Sequence, residues 1–154
     1  MKRTLLSILF VCGLFTAAIS QTTHTITLYV NTAQITNGQE AYLYAYFEGQ
    51  PEGTDTRDFT TFVNPGDMVV WRGVSLSSEA DQVFVEMINY QGGDNLFDTN
   101  VLRATQENPG IVTGVIQAGT QGLEEKYVIS FRVFNNGTQR NGMYHIDPKL
   151  KVRR

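Results

Sequence analysis

Cysteine is all but missing from this 154-residue chain: Cys12 stands near the N-terminus and none follows it. One thiol can close no internal disulfide, and past Cys12 there is no thiolate to attack a substrate or hold a metal. Histidine is nearly as scarce, with only His24 and His145. Basic charge is also short, 12 Lys and Arg against 15 Asp and Glu, which argues against a phosphate-binding surface and so against nucleic acid. Helical periodicity is missing as well. No stretch of a dozen residues beyond the N-terminus keeps apolar positions at i, i+3, i+4 and i+7.

What is present begins with the order of a secretory signal. Lys2 and Arg3 form a positive n-region, Leu5 to Ala18 an apolar run, and Ala18 and Ser20 the small residues of a cleavage site before Gln21. The run is too short for a membrane span of about 20 residues, and no basic stop-transfer cluster follows. A lipoprotein cut before Cys12 would need a small residue where Val11 stands. The expectation is residues 1–20 as signal, 21–154 as one domain, and a periplasmic or secreted product. Cleavage removes two of the basic residues, none of the acidic ones and the only cysteine, leaving a net charge of about −5 on a chain that packing or association must hold together.

Beyond the signal, alternation of period two recurs. Ile26, Leu28 and Val30 alternate with Thr25, Thr27 and Tyr29. From Ala41 to Phe47, Tyr42, Tyr44 and Tyr46 share one side. Val83, Val85 and Met87 form another set, and Tyr127, Ile129, Phe131 and Val133 a fourth. β-Branched and aromatic residues dominate these runs, as a pleated, half-buried surface favours. Asn37-Gly38, Asn64-Pro65-Gly66, Gly92-Gly93, Asn108-Pro109-Gly110, Asn136-Gly137 and Asn141-Gly142 punctuate them. Asn and Gly accept positive φ, and Pro presets φ at the second turn position. The pattern predicts an all-β, antiparallel β-sandwich of eight or nine strands, Greek-key and immunoglobulin- or cupredoxin-like.

Candidate chemistry is thin. Asn64 to Trp71 resembles the turn and central strand of cupredoxins, but type 1 copper takes two His, a Cys thiolate and usually a Met, and the mature domain lacks the Cys. A Gly-x-Ser-x-Gly elbow is missing. His145 reads as an ordinary strand residue and His24 as part of a mobile terminus. The polar cluster is Asp94, Asn95, Asp98 and Asn100 after Gly92-Gly93, which reads either as a solvated turn or as a site for Ca²⁺ or sugar hydroxyls. Glu52, Asp55 and Asp58 make a second acidic loop with the same two readings. No other cofactor is implied. The three tyrosines form either core or an open platform for a sugar or a protein. Asn136-Gly137-Thr138 matches the glycosylation triplet and reads more simply as a hairpin turn.

Two segments, Gly66-Asp67-Met68-Val69-Val70-Trp71-Arg72-Gly73-Val74-Ser75-Leu76-Ser77 and Gly142-Met143-Tyr144-His145-Ile146-Asp147-Pro148-Lys149-Leu150-Lys151-Val152, resemble two motifs of the bacterial PixA/AidA inclusion-body proteins, in the same order. Tyr127 to Phe134 is similar to that family's penultimate strand. The chain departs from the family in its signal and its compact middle region. The resemblance implies a β-sandwich, self-association and no enzymatic activity. On physical grounds, Asp67 caps the turn before a strand, Trp71 fills core, and Arg72 is expected to pair with Asp147. Pro148 places the last strand at an edge or starts it after that residue. The functional expectation is an exported, non-enzymatic binding or assembly protein. A carbohydrate-binding module, calcium-assisted or not, is the alternative, and a hydrolase using loop carboxylates comes after it.

Overall fold

A computed structural model describes residues 21–36 and 38–154. The signal read over residues 1–20, with Lys2, Arg3 and Cys12, lies outside the described residues. Eleven strands run in chain order: β1 (Thr23–Val30), β2 (Ala45–Phe47), β3 (Thr60–Val63), β4 (Met68–Ser75), β5 (Gln82–Gly93), β6 (Val101–Arg103), β7 (Ile111–Val115), β8 (Glu124–Asn135), β9 (Thr138–Gln139), β10 (Tyr144–Ile146) and β11 (Lys149–Val152). Kinked 3₁₀ turns, η1 (Gly38–Leu43), and one further 3₁₀ turn, η2 (Thr56–Asp58), lie between β1 and β3.

The strands make two sheets. The smaller has the order β2-β1-β4-β7 and the larger β3-β11-β8-β5-β6, with β9 and β10 also on β8. The all-β sandwich expected from the alternation is what forms. Its sheets are mixed rather than antiparallel throughout, because β1 pairs parallel with β4 and β11 parallel with β3. The cause is a crossing between layers. After β2 the chain passes to β3 in the larger sheet and returns as β4, so it re-enters beside β1 in the same direction. The strands beyond the expected eight or nine are pieces of two or three residues such as β9 and β10, too short to register as alternation.

Trp71 lies at the centre, with no exposed surface. Its indole N–H donates to the Tyr127 hydroxyl at 3.1 Å, and its ring meets Phe97 and Tyr127 edge-on at 5.5 and 5.8 Å, a geometry that aromatic quadrupoles favour. The β8–β9 hairpin has the expected two-residue turn, with Asn136 at φ 47° and Gly137 at φ 78°, the type I′ signature.

Two expectations fail, and a third holds in only one of its two readings. Arg72 does not meet Asp147: its Nε donates to Thr27 Oγ1 at 3.1 Å, while Asp147 pairs with Lys126 at 2.7 Å. Arg72 projects from the smaller sheet and Asp147 follows β10 in the larger one, so the two layers separate them. The last strand is no edge. It begins after Pro148, as one of the two readings had it, but it runs between β3 and β8. The tyrosines form no stripe, since Tyr42 sits in η1 and Tyr44 after it, leaving only Tyr46 in β2.

Candidate functional site

Three local devices bring polar side chains together on the outer side of the larger sheet. The first is the break at Pro148. β10 and β11 pair with β8 one after the other, and between them the Pro148 carbonyl accepts the Tyr127 N–H at 3.1 Å. His145 and Asp147 thereby stand beside Ser130 and Lys126. The second is a bulge in β5, where the register against β8 shifts between Tyr90 and Gly92. Gln91 is the extra residue, turned out of the ladder as bulged residues are. The third is the pair of 3₁₀ segments, η1 lying along β10 and η2 packing on η1 and β2. The Asp55 carboxylate caps η2 by accepting the Arg57 N–H at 2.9 Å and also takes Arg57 Nε at 2.9 Å. The guanidinium then lies 3.7 Å over the Tyr42 ring. Thr56 fixes the segment from below, its hydroxyl donating to the Ala45 carbonyl at 2.8 Å.

The result is a cavity of about 280 Å³ bordered by Tyr42, Arg57, Gln91, Val128, His145 and Asp147. Its charges come already paired. Hydrogen bonds from Arg57 hold the Asp55 carboxyl well below the usual carboxylate range, and Lys126 neutralises Asp147. His145 Nδ1 and Ser130 Oγ are 2.9 Å apart. Ser130 is buried behind the imidazole, so this Ser–His contact offers no hydroxyl to the cavity. The arrangement presents hydrogen-bonding groups over an apolar floor.

The loop residues singled out from sequence lie elsewhere. Asp94 Oδ2 accepts the Glu124 N–H at 3.2 Å. Asn95 accepts the Phe97 N–H and donates to Asn100 Oδ1, both at 3.2 Å, and Asp98 takes a left-handed conformation. These contacts brace a loop whose Leu96 and Phe97 are buried in the core. Among the described residues no group of three or more His, Cys, Asp or Glu side chains converges as a metal site, and no helix is long and apolar enough to cross a membrane. In the second acidic loop, Asp55 holds Arg57 and Asp58 lies 3.6 Å from Lys149. His24 belongs to β1, with Nε2 2.7 Å from Asp67. Arg57 and Gln91 went unnoticed in the sequence. The readable signal was Gly92-Gly93 at the end of a strand pattern, a mark of a bulge.

The other side of the molecule carries a second feature. Cross-strand register places Tyr46, Tyr29 and Val74 in one row on the outer face of the smaller sheet, with Thr27, Arg72 and Ile111 in the next. Thr25, Val70 and Thr113, then Thr23, Met68 and Val115, complete it. None of these twelve residues is acidic and only Arg72 is charged. Tyr29 and Tyr46 stack at 5.3 Å. Seven of the twelve are apolar or aromatic, four are threonines of which Thr27 is fully buried, and Tyr46 and Val115 are the well-exposed large ones; apolar side chains gathered on an outer sheet face mark a contact surface.

Fold and sites together describe a compact β-sandwich with a small cavity on one side and a sheet face carrying a single charge among its paired positions on the other. Among solved structures, the chain is similar to the inclusion body protein PixA from Burkholderia cenocepacia J2315, with a TM-score of 0.64 over 88% of this chain and 98% of that one. Identity is 12%, so the likeness is one of fold, and it agrees with the two-motif resemblance in the sequence. That neighbour is described as an inclusion body protein and not as an enzyme. No family model matches the chain, and no curated protein matches it.

Proposed function

We propose that this chain is an exported, non-enzymatic, PixA-like β-sandwich that works by associating with further copies of itself through the outer face of the smaller sheet. The observation that carries the reading is that the paired positions of this face hold no acidic residue, on a chain with 15, the acid Glu48 lying just past the end of β2. The face is self-complementary: the Tyr29–Tyr46 row lies next to the row that holds Arg72, so a second copy related by a two-fold axis can set its guanidinium on these rings. The description of the structural neighbour as an inclusion body protein supports the same direction. Strands of three, eight, eight and five residues, at about 3.3 Å per residue and about 4.8 Å apart, give a footprint of roughly 400 Å². That is below the roughly 800 Å² per partner of a standard stable interface, so the contact is weak and reversible, and concentration drives it.

Sedimentation velocity of residues 21–154 from 5 µM to 1 mM tests this. The expected result is a rising sedimentation coefficient that Val70→Lys with Val115→Lys abolishes while the Tm is retained. A wild-type chain that stays monomeric at 1 mM, or a double variant that associates equally, overturns it. Export is tested separately by N-terminal sequencing of protein recovered outside the cytoplasm; Gln21 as first residue supports it, and an intact Met1 refutes it.

A further inference from the structure

The cavity on the larger sheet lies on the opposite side of the molecule from the association face and serves a different purpose. We propose that it binds one neutral, polyhydroxylated ring of monosaccharide size. The size follows from the volume: about 280 Å³ lies at the low end of small-molecule sites, roughly 300–1,000 Å³, so the ligand is a small one.

The chemistry follows from the lining. Arg57, Gln91, His145 and Asp147 end in planar groups that together donate and accept hydrogen bonds, as adjacent hydroxyls require. Both charges at the rim are already answered, Arg57 by Asp55 and Asp147 by Lys126. An anion or a cation would meet charges already balanced and gain less from them than from a free partner. A neutral ligand displaces only water. Val128 and the part of the Tyr42 ring that Arg57 leaves uncovered supply apolar surface for the C–H face of a sugar. Finally, the groups are held in place before any ligand arrives. Gln91 is aimed by a bulge, Arg57 is clamped by Asp55 and stacked on Tyr42, and His145 is oriented by Ser130. Fixing side chains in advance lowers the ordering cost of binding.

Saturation-transfer difference NMR tests the proposal, with free hexoses, deoxyhexoses and N-acetylhexosamines each titrated to 50 mM against residues 21–154. At least one sugar is expected to saturate, with its Kd raised tenfold or more by Gln91→Ala and by Asp147→Asn. Asn95→Ala, in the β5–β6 loop, leaves the Kd unchanged. Gln91 is exposed, and its removal is expected to leave the Tm within 2 °C, so loss of binding will not be loss of fold. The idea is overturned if no sugar saturates, if Gln91→Ala binds as well as the native chain, or if acetate or ammonium competes for the site. The association variants Val70→Lys and Val115→Lys retain sugar binding, which keeps the two readings separable.

Discussion

Replacing Asp67 with Ala is expected to destabilise the domain by roughly 3 kcal/mol at pH 7. The carboxylate is 3% exposed and ties three segments together. Its Oδ2 accepts from Asn64 N at 2.7 Å, from Asn64 Nδ2 at 2.9 Å and from His24 Nε2 at 2.7 Å; its Oδ1 accepts from Thr22 N at 3.3 Å. A hydrogen bond to a charged group contributes about 1.5–3 kcal/mol. Thr22 and the Asn64 side chain can recover much of that from water, which leaves the Asn64 N–H and His24 as the main losses. A loss of this size lowers the Tm by roughly 10 °C in a domain of this length. Asp67→Asn keeps an acceptor oxygen and is expected to cost about half as much. The pH dependence supplies a second readout. Burial alone would raise the Asp67 carboxyl, but the Asn64 backbone and side-chain N–H groups and His24 outweigh it and lower the value from 3.8. A lowered carboxyl stabilises the fold above its unfolded value and loses that contribution as pH falls through the folded one. The gap between native chain and Asp67→Ala should therefore be full above pH 5 and should close below about pH 4. Urea unfolding followed by circular dichroism from pH 2.5 to 7 measures it. A difference under about 0.5 kcal/mol at pH 7, or one that widens in acid, refutes the account.

Glu125 is expected to act in the opposite sense. Burial raises its carboxyl to about 7, against the Leu96 N–H that favours the charged form. The folded state thus holds this proton more tightly than the unfolded chain, and stability declines as pH climbs from about 4.5 to 7, by at most roughly 3 kcal/mol. Glu125→Gln should flatten that slope and raise the Tm at pH 8; an unchanged slope in thermal melts across this range would sink the idea. Gly73→Ala is expected to cost about 2–3 kcal/mol by overpacking, because a Cβ there would fall 2.3 Å from Val83 Cγ1 and 2.7 Å from the Val83 carbonyl oxygen. Adding Val83→Ala should restore only part of the loss in denaturant titrations, since the carbonyl stays; a single variant as stable as the native chain argues against it.

The parts of the fold that could be read in advance are those decided by near neighbours in the chain. Asn136-Gly137 makes its hairpin because two consecutive positive φ angles fall to the residues that tolerate them. Asp67 caps its turn because Asn64 is three residues away. Trp71 is core because it falls on the inward phase of an alternating strand. The failures share the opposite property. The Arg72–Asp147 pair depended on which layer each strand joins, and the edge position of β11 on whether β3, far earlier in the chain, comes to cover it. The tyrosine stripe was lost because Tyr42 and Tyr44 have regular spacing but no partner strand, so the segment closes into 3₁₀ turns instead. The site was harder still to read. Its border draws on η1, η2, β5, β8 and β10, and only the diglycine marking the bulge left a local trace.

By itself, then, the sequence determined the class of backbone, the turns and the central aromatic residue. Each of these depends on side-chain type and on contacts within a few residues. Only the tertiary structure decided which strands lie side by side, which residues share the outer face of the smaller sheet, and which polar groups meet at a cavity. Those outcomes depend on the passage of the chain from one layer to the other after β2, and long-range pairing of that kind is set by the burial of the whole core rather than by any segment of it.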